Sequence, residues 1–127
     1  MIKCKDEGYW IYLRNPDVEE KGVTGKYLFF SQDRELLLRL GITLLETYKL
    51  PAAKMPNKEN QTGKDCVLCV YDYTPRYKGL FKLYDTPEIK YRYWKSDEQT
   101  NKEYSQRLVD RMDECFASIG DLPDVAD

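Results

Sequence analysis

One apolar run in the middle of the chain constrains the fold more than any other feature of the sequence. Residues 66–73 read Cys-Val-Leu-Cys-Val-Tyr-Asp-Tyr, so apolar side chains occupy both sets of alternating positions. Because successive side chains of a strand point to opposite faces, this pattern is typical of a central strand buried on both sides. A central strand needs neighbours, and the sequence therefore predicts a sheet.

Four other segments carry strand signals. Aromatic and branched residues are concentrated in residues 9–14, 26–31 and 89–94, and residues 52–55 form a shorter extended piece. The first two segments are separated by a stretch rich in Asn, Pro, Asp and Gly, which favours a hairpin with a long loop between them.

Three segments have helical spacing. Leucines at positions 36, 37, 40, 44 and 45 fall on one helical face, in a helix that Ser31 is expected to cap from Gln32 onward and that Pro51 ends. Residues 77–84 predict a short amphipathic helix. Residues 100–119 predict a third helix, which starts with a capping box.

The element order is therefore β-β-α-β-β-α-β-α. This order predicts an α+β fold in which helices cover one face of a mainly antiparallel sheet. Residues 26–94 have the β-α-β-β-α-β order of a ferredoxin-like unit, extended by the first strand and the last helix. A chain of 127 residues has the size of one domain, 1–127, and its ends at 1–7 and 120–127 are expected to be flexible.

Composition excludes several kinds of function. The chain contains no histidine, which removes catalysis by an imidazole base and any zinc site that uses His. Lys and Arg number 20 against 22 for Asp and Glu, a balance that disfavours duplex DNA as a partner. No Walker loop, G-x-G-x-x-G or calcium loop occurs, so no cofactor is expected.

The cysteines do not indicate a metal or redox centre. Cys66 and Cys69 are spaced C-x-x-C, but an offset of three places them on opposite faces of one strand. No signal peptide is apparent and no stretch is long and apolar enough to span a membrane. We therefore expect a cytoplasmic protein with reduced, structural thiols, no bound metal and no membrane partner.

The face of the sheet opposite the helices is the candidate functional surface. Alternation places Arg92 and Trp94 on the same side of the last strand. Since neighbouring strands lie about 4.8 Å apart, basic residues of several strands are predicted to converge on one anion, namely Lys26, Lys54, Arg92 and Lys95. Trp94 would stack on a ligand base. Exposed basic residues are also common on sheets that bind nothing, and this alternative stays open.

Several short motifs resemble a known family. They are Gly8-Tyr9-Trp10, residues 24–30, Ala53-Lys54, residues 67–71 and Lys95-Ser96-Asp97, with Thr100 and Tyr104 beyond. Over about residues 8–106 the chain resembles the basophilic-leukaemia-expressed protein family, also described as a phosphothreonine lyase domain. The resemblance implies a curved antiparallel sheet backed by helices, similar to the cap-binding translation initiation factor. It implies Lys26 and Lys54 as catalytic positions, with Arg92, Lys95 and Tyr104 as looser matches for ligand contacts.

Three functions are consistent with these observations. The first is a small binding protein whose basic and aromatic sheet face recognises a phosphorylated ligand: a nucleotide, an RNA end or a phosphopeptide. The second, implied by the resemblance, is a phosphothreonine lyase in which Lys26 or Lys54 is the base and Arg92 holds the phosphate. The third is a protein-interaction module of a phage or mobile element that blocks a partner protein.

Overall fold

The computed structural model describes residues 1–58 and 64–99. The elements in chain order are strands β1 (Lys3–Glu7), β2 (Trp10–Arg14) and β3 (Gly25–Ser31), helix α1 (Arg34–Thr47), strands β4 (Ala52–Pro56) and β5 (Cys66–Asp72), a 3-10 helix (Leu80–Tyr84) and strand β6 (Lys90–Ser96). The chain divides into two compact units, Met1–Ser96 and Asp97–Asp127, and all of these elements belong to the first. The helix predicted from Thr100 lies outside the described residues.

The strands form one antiparallel sheet in the order β1-β2-β4-β5-β3-β6. This confirms the predicted α+β fold with a mainly antiparallel sheet. The predicted central strand, β5, pairs with β3 on one side and β4 on the other. No helix within the described residues is long and apolar enough to cross a membrane.

The partner predicted for β2 is wrong. Strand β2 pairs with β1 and β4 rather than with β3. Residues 3–7, expected to be a flexible end, form β1 and join β2 through a turn whose first residue, Gly8, has a φ of 64°. A two-residue turn connects β1 to β2, whereas a long loop separates β2 from β3. Strand β1 therefore pairs with β2 in the position that was predicted for β3.

The beginning of α1 differs from the prediction by two residues. Asp33, not Ser31, is the N-cap, because its carboxylate accepts a hydrogen bond from the Leu36 amide at 3.0 Å. Ser31 instead accepts a bond from the Asp33 amide at 3.0 Å. The leucine face is confirmed, since Leu37, Leu40, Leu44 and Leu45 are buried against the sheet.

Tyr27 lies at the centre of the covered face of the sheet. Its ring packs on Phe81 of the 3-10 helix and on Trp94 of β6, with centroid distances of 4.6 and 4.9 Å. Its hydroxyl donates to the fully buried carboxylate of Asp72 at 2.7 Å and accepts from the Tyr77 amide at 3.1 Å. Arg76 pairs with the same carboxylate at 3.2 Å, so a buried charge is satisfied by several donors.

A β-bulge changes which side chains of β6 face the core. The register opposes Leu28 to Tyr93 and Phe29 to Tyr91, which leaves Arg92 as the extra residue of the bulge. Beyond the bulge, Trp94 lies opposite Tyr27 and packs against the core. The predicted placement of Trp94 beside Arg92 on the open side is therefore wrong, because strict alternation does not hold across a bulge.

We predict that Gly25→Ala destabilises the fold. A Cβ on Gly25 would lie 2.4 Å from Cζ2 of Trp94 and 2.7 Å from the backbone oxygen of Lys95, and the latter cannot move without breaking the β3–β6 pairing. We expect a loss of about 1–3 kcal/mol and a fall in Tm of at least about 4 °C in thermal denaturation followed by circular dichroism. Gly79→Ala is the matched control, since no heavy atom lies within 4 Å of its added Cβ. Equal Tm values for the two variants would contradict the prediction.

We also predict that Tyr27→Phe lowers the free energy of unfolding by about 1–3 kcal/mol, because it keeps the ring but leaves a buried carboxylate and a backbone amide without one partner each. The measurement is urea denaturation. Tyr93→Phe, at a ring that is 46% exposed, serves as the control and is expected to stay within about 0.5 kcal/mol of the wild type. A Tyr27→Phe variant as stable as this control would show that the hydroxyl contributes nothing.

Candidate functional site

Among the lysines on the face of the sheet opposite α1, here called the open face, three come from strands β3, β4 and β6. Partners that lie directly opposite each other in an antiparallel pair point to the same side. Lys26 of β3 lies opposite both Lys95 of β6 and Tyr71 of β5. Lys54 of β4 lies opposite Cys69 of β5. Lys26, Lys54 and Lys95 therefore point to one side of the sheet, with Lys26 and Lys95 directly opposite each other, and we refer to these three residues as the lysine cluster.

Aromatic rings fix the positions of two of these ammonium groups. The Nζ of Lys54 lies 4.1 Å from the ring centroid of Trp10 and 5.9 Å from that of Tyr71. The Nζ of Lys26 lies 5.8 Å from the same Tyr71 ring. Cation–π attraction of this kind holds a flexible lysine in a limited range of positions. Tyr71 is thus the shared platform between Lys26 and Lys54.

Burial and charge act on the ionisation of the cluster. Burial lowers the pKa of Lys54; the nearby Cys69 opposes this effect, and the like charge of Lys26 adds to it. Cys69 lies beneath the cluster with 6% of its surface exposed. Burial raises the pKa of the Cys69 thiol, while the charges of Lys26, Lys54 and Lys95 act in the opposite direction. The pKa of Lys54 and the pKa of Cys69 therefore depend on each other's charge.

A cleft of about 260 Å³ opens beside Lys54. Tyr12 and Tyr71 form aromatic walls, Val23 and Ala52 add apolar surface, and Glu20 contributes a carboxylate. We call this space the Lys54 cleft. It combines one amine, one carboxylate and two phenols with an apolar lining, which is the usual make-up of a small-molecule site.

The loop between β2 and β3 forms one wall of the cleft. Within it, the Asn15 side chain donates to the Leu45 carbonyl of α1 at 3.0 Å, and the Asn15 carbonyl accepts from the Val18 amide at 3.1 Å. The Tyr73 hydroxyl donates to the Glu19 carbonyl, and Arg14 forms an ion pair with Glu20. These bonds hold Glu20 against the end of the sheet.

The structure does not bring every predicted site residue together. The guanidinium of Arg92 lies over the Phe30 ring, with its carbon 5.6 Å from the centroid. Phe30 is four residues from Lys26 on β3, a separation of about 13 Å, so Arg92 belongs to the other end of the open face. Trp94 packs against the core on the covered face, and Tyr104 lies outside the described residues.

Four residues of this site were not identified from sequence, namely Tyr12, Glu20, Cys69 and Tyr71. Alternation along β5 would have grouped Cys69 with Tyr71, but their relation to Lys26 and Lys54 depends on which strands lie beside β5. Glu20 comes from a loop that carries no periodic signal. For Cys69 and Tyr71, the missing information was therefore the register of strand pairing, which the sequence does not specify.

The described residues contain no group of three or more Cys, Asp or Glu side chains that could hold a metal ion. Comparisons with protein-family models, curated proteins and solved structures give no match. The chemistry of the site is therefore argued from its own geometry.

We predict that Lys54 titrates below the ordinary value of 10.5 and that Lys26→Met raises its pKa, because the substitution removes a like charge. The measurement is the rate of trace acetylation of Lys54 between about pH 7 and pH 11, normalised to the exposed Lys82. Lys78→Met, at another exposed lysine, is the control and should leave the titration unchanged. A titration of Lys54 that is the same in all three proteins would contradict the prediction.

The lowered pKa of Lys54 also determines whether its contribution to the free energy of unfolding rises or falls with pH. The folded protein holds the Lys54 proton less tightly than the unfolded chain, so the unfolded chain binds more protons between the lowered pKa and 10.5. The contribution of Lys54 to stability therefore rises with pH across that window.

Proposed function

We propose that this protein binds a phosphorylated ligand at the lysine cluster on its open face. The observation that carries the proposal is the register that places Lys26, Lys54 and Lys95, from three different strands, around Tyr71 and Cys69. Several point charges on one face of the sheet suit a phosphate, which offers three oxygens and up to two negative charges.

The energetics of the pairing support an anion. Lys26 and Lys95 lie directly opposite each other, and like charges in that position repel. A phosphate that contacts both ammonium groups would be attracted by both charges. The effect is stronger at a half-buried site than in open solvent, because the surrounding dielectric is lower.

The aromatic groups support a ligand larger than phosphate alone. Trp10, Tyr12 and Tyr71 lie beside the cluster and offer ring faces to a nucleotide base, an RNA end or a peptide side chain. In this proposal the ligand is a cytoplasmic metabolite, an RNA or a phosphoprotein. The resemblance to the basophilic-leukaemia-expressed family is consistent with it, since Lys26 and Lys54 are the two positions that the resemblance singles out.

A second candidate is a lyase acting on phosphothreonine, which the lowered pKa of Lys54 favours because a lower pKa increases the fraction of the amine that can accept a proton. Lys54 would take the Cα proton, the C–H electrons would form the Cα=Cβ bond, and the phosphate would leave with the Cβ–O electrons. Mass spectrometry of a phosphothreonine peptide tests this, and a product lighter by phosphoric acid is the expected result. An unchanged peptide across the pH range would exclude it.

We predict that Lys26→Ala weakens binding of a phosphorylated probe by about tenfold to hundredfold, as expected for the loss of a charge-assisted contact worth about 1.5–3 kcal/mol. The probes are a nucleoside monophosphate, a 5′-phosphorylated oligoribonucleotide and a phosphothreonine peptide. They are first screened by the rise in Tm that binding to the native state produces, and the best is then measured by calorimetry.

Arg92→Ala is the matched control. It removes a cation from the same face of the sheet at the Phe30 end, and we expect its dissociation constant to stay within about threefold of the wild type. The proposal is wrong if none of the three probes raises Tm, or if Lys26→Ala binds as tightly as the wild type. An equal loss of affinity in Lys26→Ala and Arg92→Ala would show that the binding site is not confined to the lysine cluster.

A further inference from the structure

The Lys54 cleft has two chemically different sides. The Nζ of Lys26 lies 5.8 Å from the Tyr71 ring centroid, and Lys95 lies opposite Lys26 on β6, on the same face of the sheet. Apolar side chains of Val23 and Ala52 lie on the other side, with the Glu20 carboxylate at the wall. Among the described residues that line the cleft, Lys54 supplies the only amine. A ligand that occupies both sides would carry an anion at one end and an uncharged group at the other.

Lys54 is held where it can react with such an uncharged group. Its Nζ lies 4.1 Å from the Trp10 ring centroid, and its side chain lines the cleft together with Tyr12 and Tyr71. Its side chain is half-buried, whereas Lys78 and Lys82 on the opposite side of the molecule are exposed. A fixed amine in an apolar cleft next to another cation is the arrangement that makes lysine a nucleophile toward carbonyl carbon.

We propose that Lys54 forms an imine with the carbonyl group of a phosphorylated aldehyde or ketone, whose phosphate is held by Lys26 and Lys95. The phosphate half of this proposal rests on the proposed function, and the nucleophilic role of Lys54 does not. Lys54 thus has a different role from the other two lysines: it reacts with the carbonyl group, whereas Lys26 and Lys95 bind the phosphate.

The chemistry needs no co-reactant beyond the substrate. The lone pair of the neutral Nζ attacks the carbonyl carbon, and the C=O π electrons move to oxygen, which takes up a proton to give a carbinolamine. The carbinolamine nitrogen then loses one proton. Its lone pair forms the C=N bond while the hydroxyl group takes up a proton and leaves as water, and the resulting iminium loses its last N–H proton to give the imine. The net reaction joins amine and carbonyl with loss of one water. Glu20 and the phenols of Tyr12 and Tyr71 line the cleft and are the groups that can relay these protons.

The electrostatics of the site favour the first step. An ordinary lysine is neutral in roughly one molecule in a thousand near pH 7.4, which makes it a poor nucleophile. Burial and the charge of Lys26 both lower the pKa of Lys54 and increase the reactive fraction. Lys26 would therefore have two effects: its charge attracts the phosphate, and the same charge lowers the pKa of the nucleophile.

The test is reductive trapping on the full chain. The protein is incubated with glycolaldehyde phosphate and sodium cyanoborohydride near pH 7.5, and the labelled lysines are quantified by peptide mass mapping. We expect Lys54 to be labelled at least about tenfold faster than Lys78 and Lys82 in the same sample. Lys54→Arg provides the background, because a guanidinium does not form the imine and retains the charge. Its circular dichroism spectrum checks that the variant is folded.

A second probe separates this inference from the proposed function. Glycolaldehyde carries the same carbonyl without phosphate, and we expect it to label Lys54 selectively but several-fold more slowly. Lys26→Met should reduce the advantage of the phosphorylated probe. If neither aldehyde labels Lys54 faster than Lys82, the imine is refuted even where a phosphorylated ligand binds. If both aldehydes label Lys54 fast and equally, the nucleophile is supported and the assigned substrate class, with its phosphate contacts, is overturned.

Discussion

The hydrogen bond between the Tyr27 hydroxyl and the buried Asp72 carboxylate holds together the part of the fold on which the site depends. It joins the middle of β3 to the end of β5, and the Tyr27 ring adds the 3-10 helix and β6 through Phe81 and Trp94. Burial and this bond raise the pKa of Tyr27, so the phenol remains the donor. Since Lys26 precedes Tyr27, fixing Tyr27 on the covered face fixes Lys26 on the open face.

The lysine cluster is expected to lower the free energy of unfolding, and burial in the core on the covered face offsets this loss. Two lysines face each other across β3 and β6, and a third loses hydration beside Trp10. Like charges directly opposite each other on a sheet, and a lysine that is partly removed from water, are expected to lower stability. The core on the covered face, with Phe29, Leu44 and Leu68 fully buried, supplies the stability that allows it.

Local sequence patterns predicted individual strands and helices, but they did not predict which strands pair with each other. The apolar run of β5 and the leucine face of α1 are strong signals, because burial imposes periods of 2 and 3.6 residues directly on the sequence. The partner of β2 and the bulge in β6 left no such signal. Trp94 was consequently placed on the open face, and Arg92 was expected among the lysines although it lies at the Phe30 end.

The sequence by itself determined that this chain forms an α+β fold around a central strand, that imidazole chemistry is absent, and that lysines stand on strands flanked by aromatic residues. Only the tertiary structure decided which of those residues meet. The order β4-β5-β3-β6 brings Lys54, Tyr71, Lys26 and Lys95 side by side although they are far apart in the chain, and the loop before β3 adds Glu20. The physical reason is that alternation fixes the face of a side chain, whereas its neighbours across strands follow from register, which is set by the packing of the whole sheet.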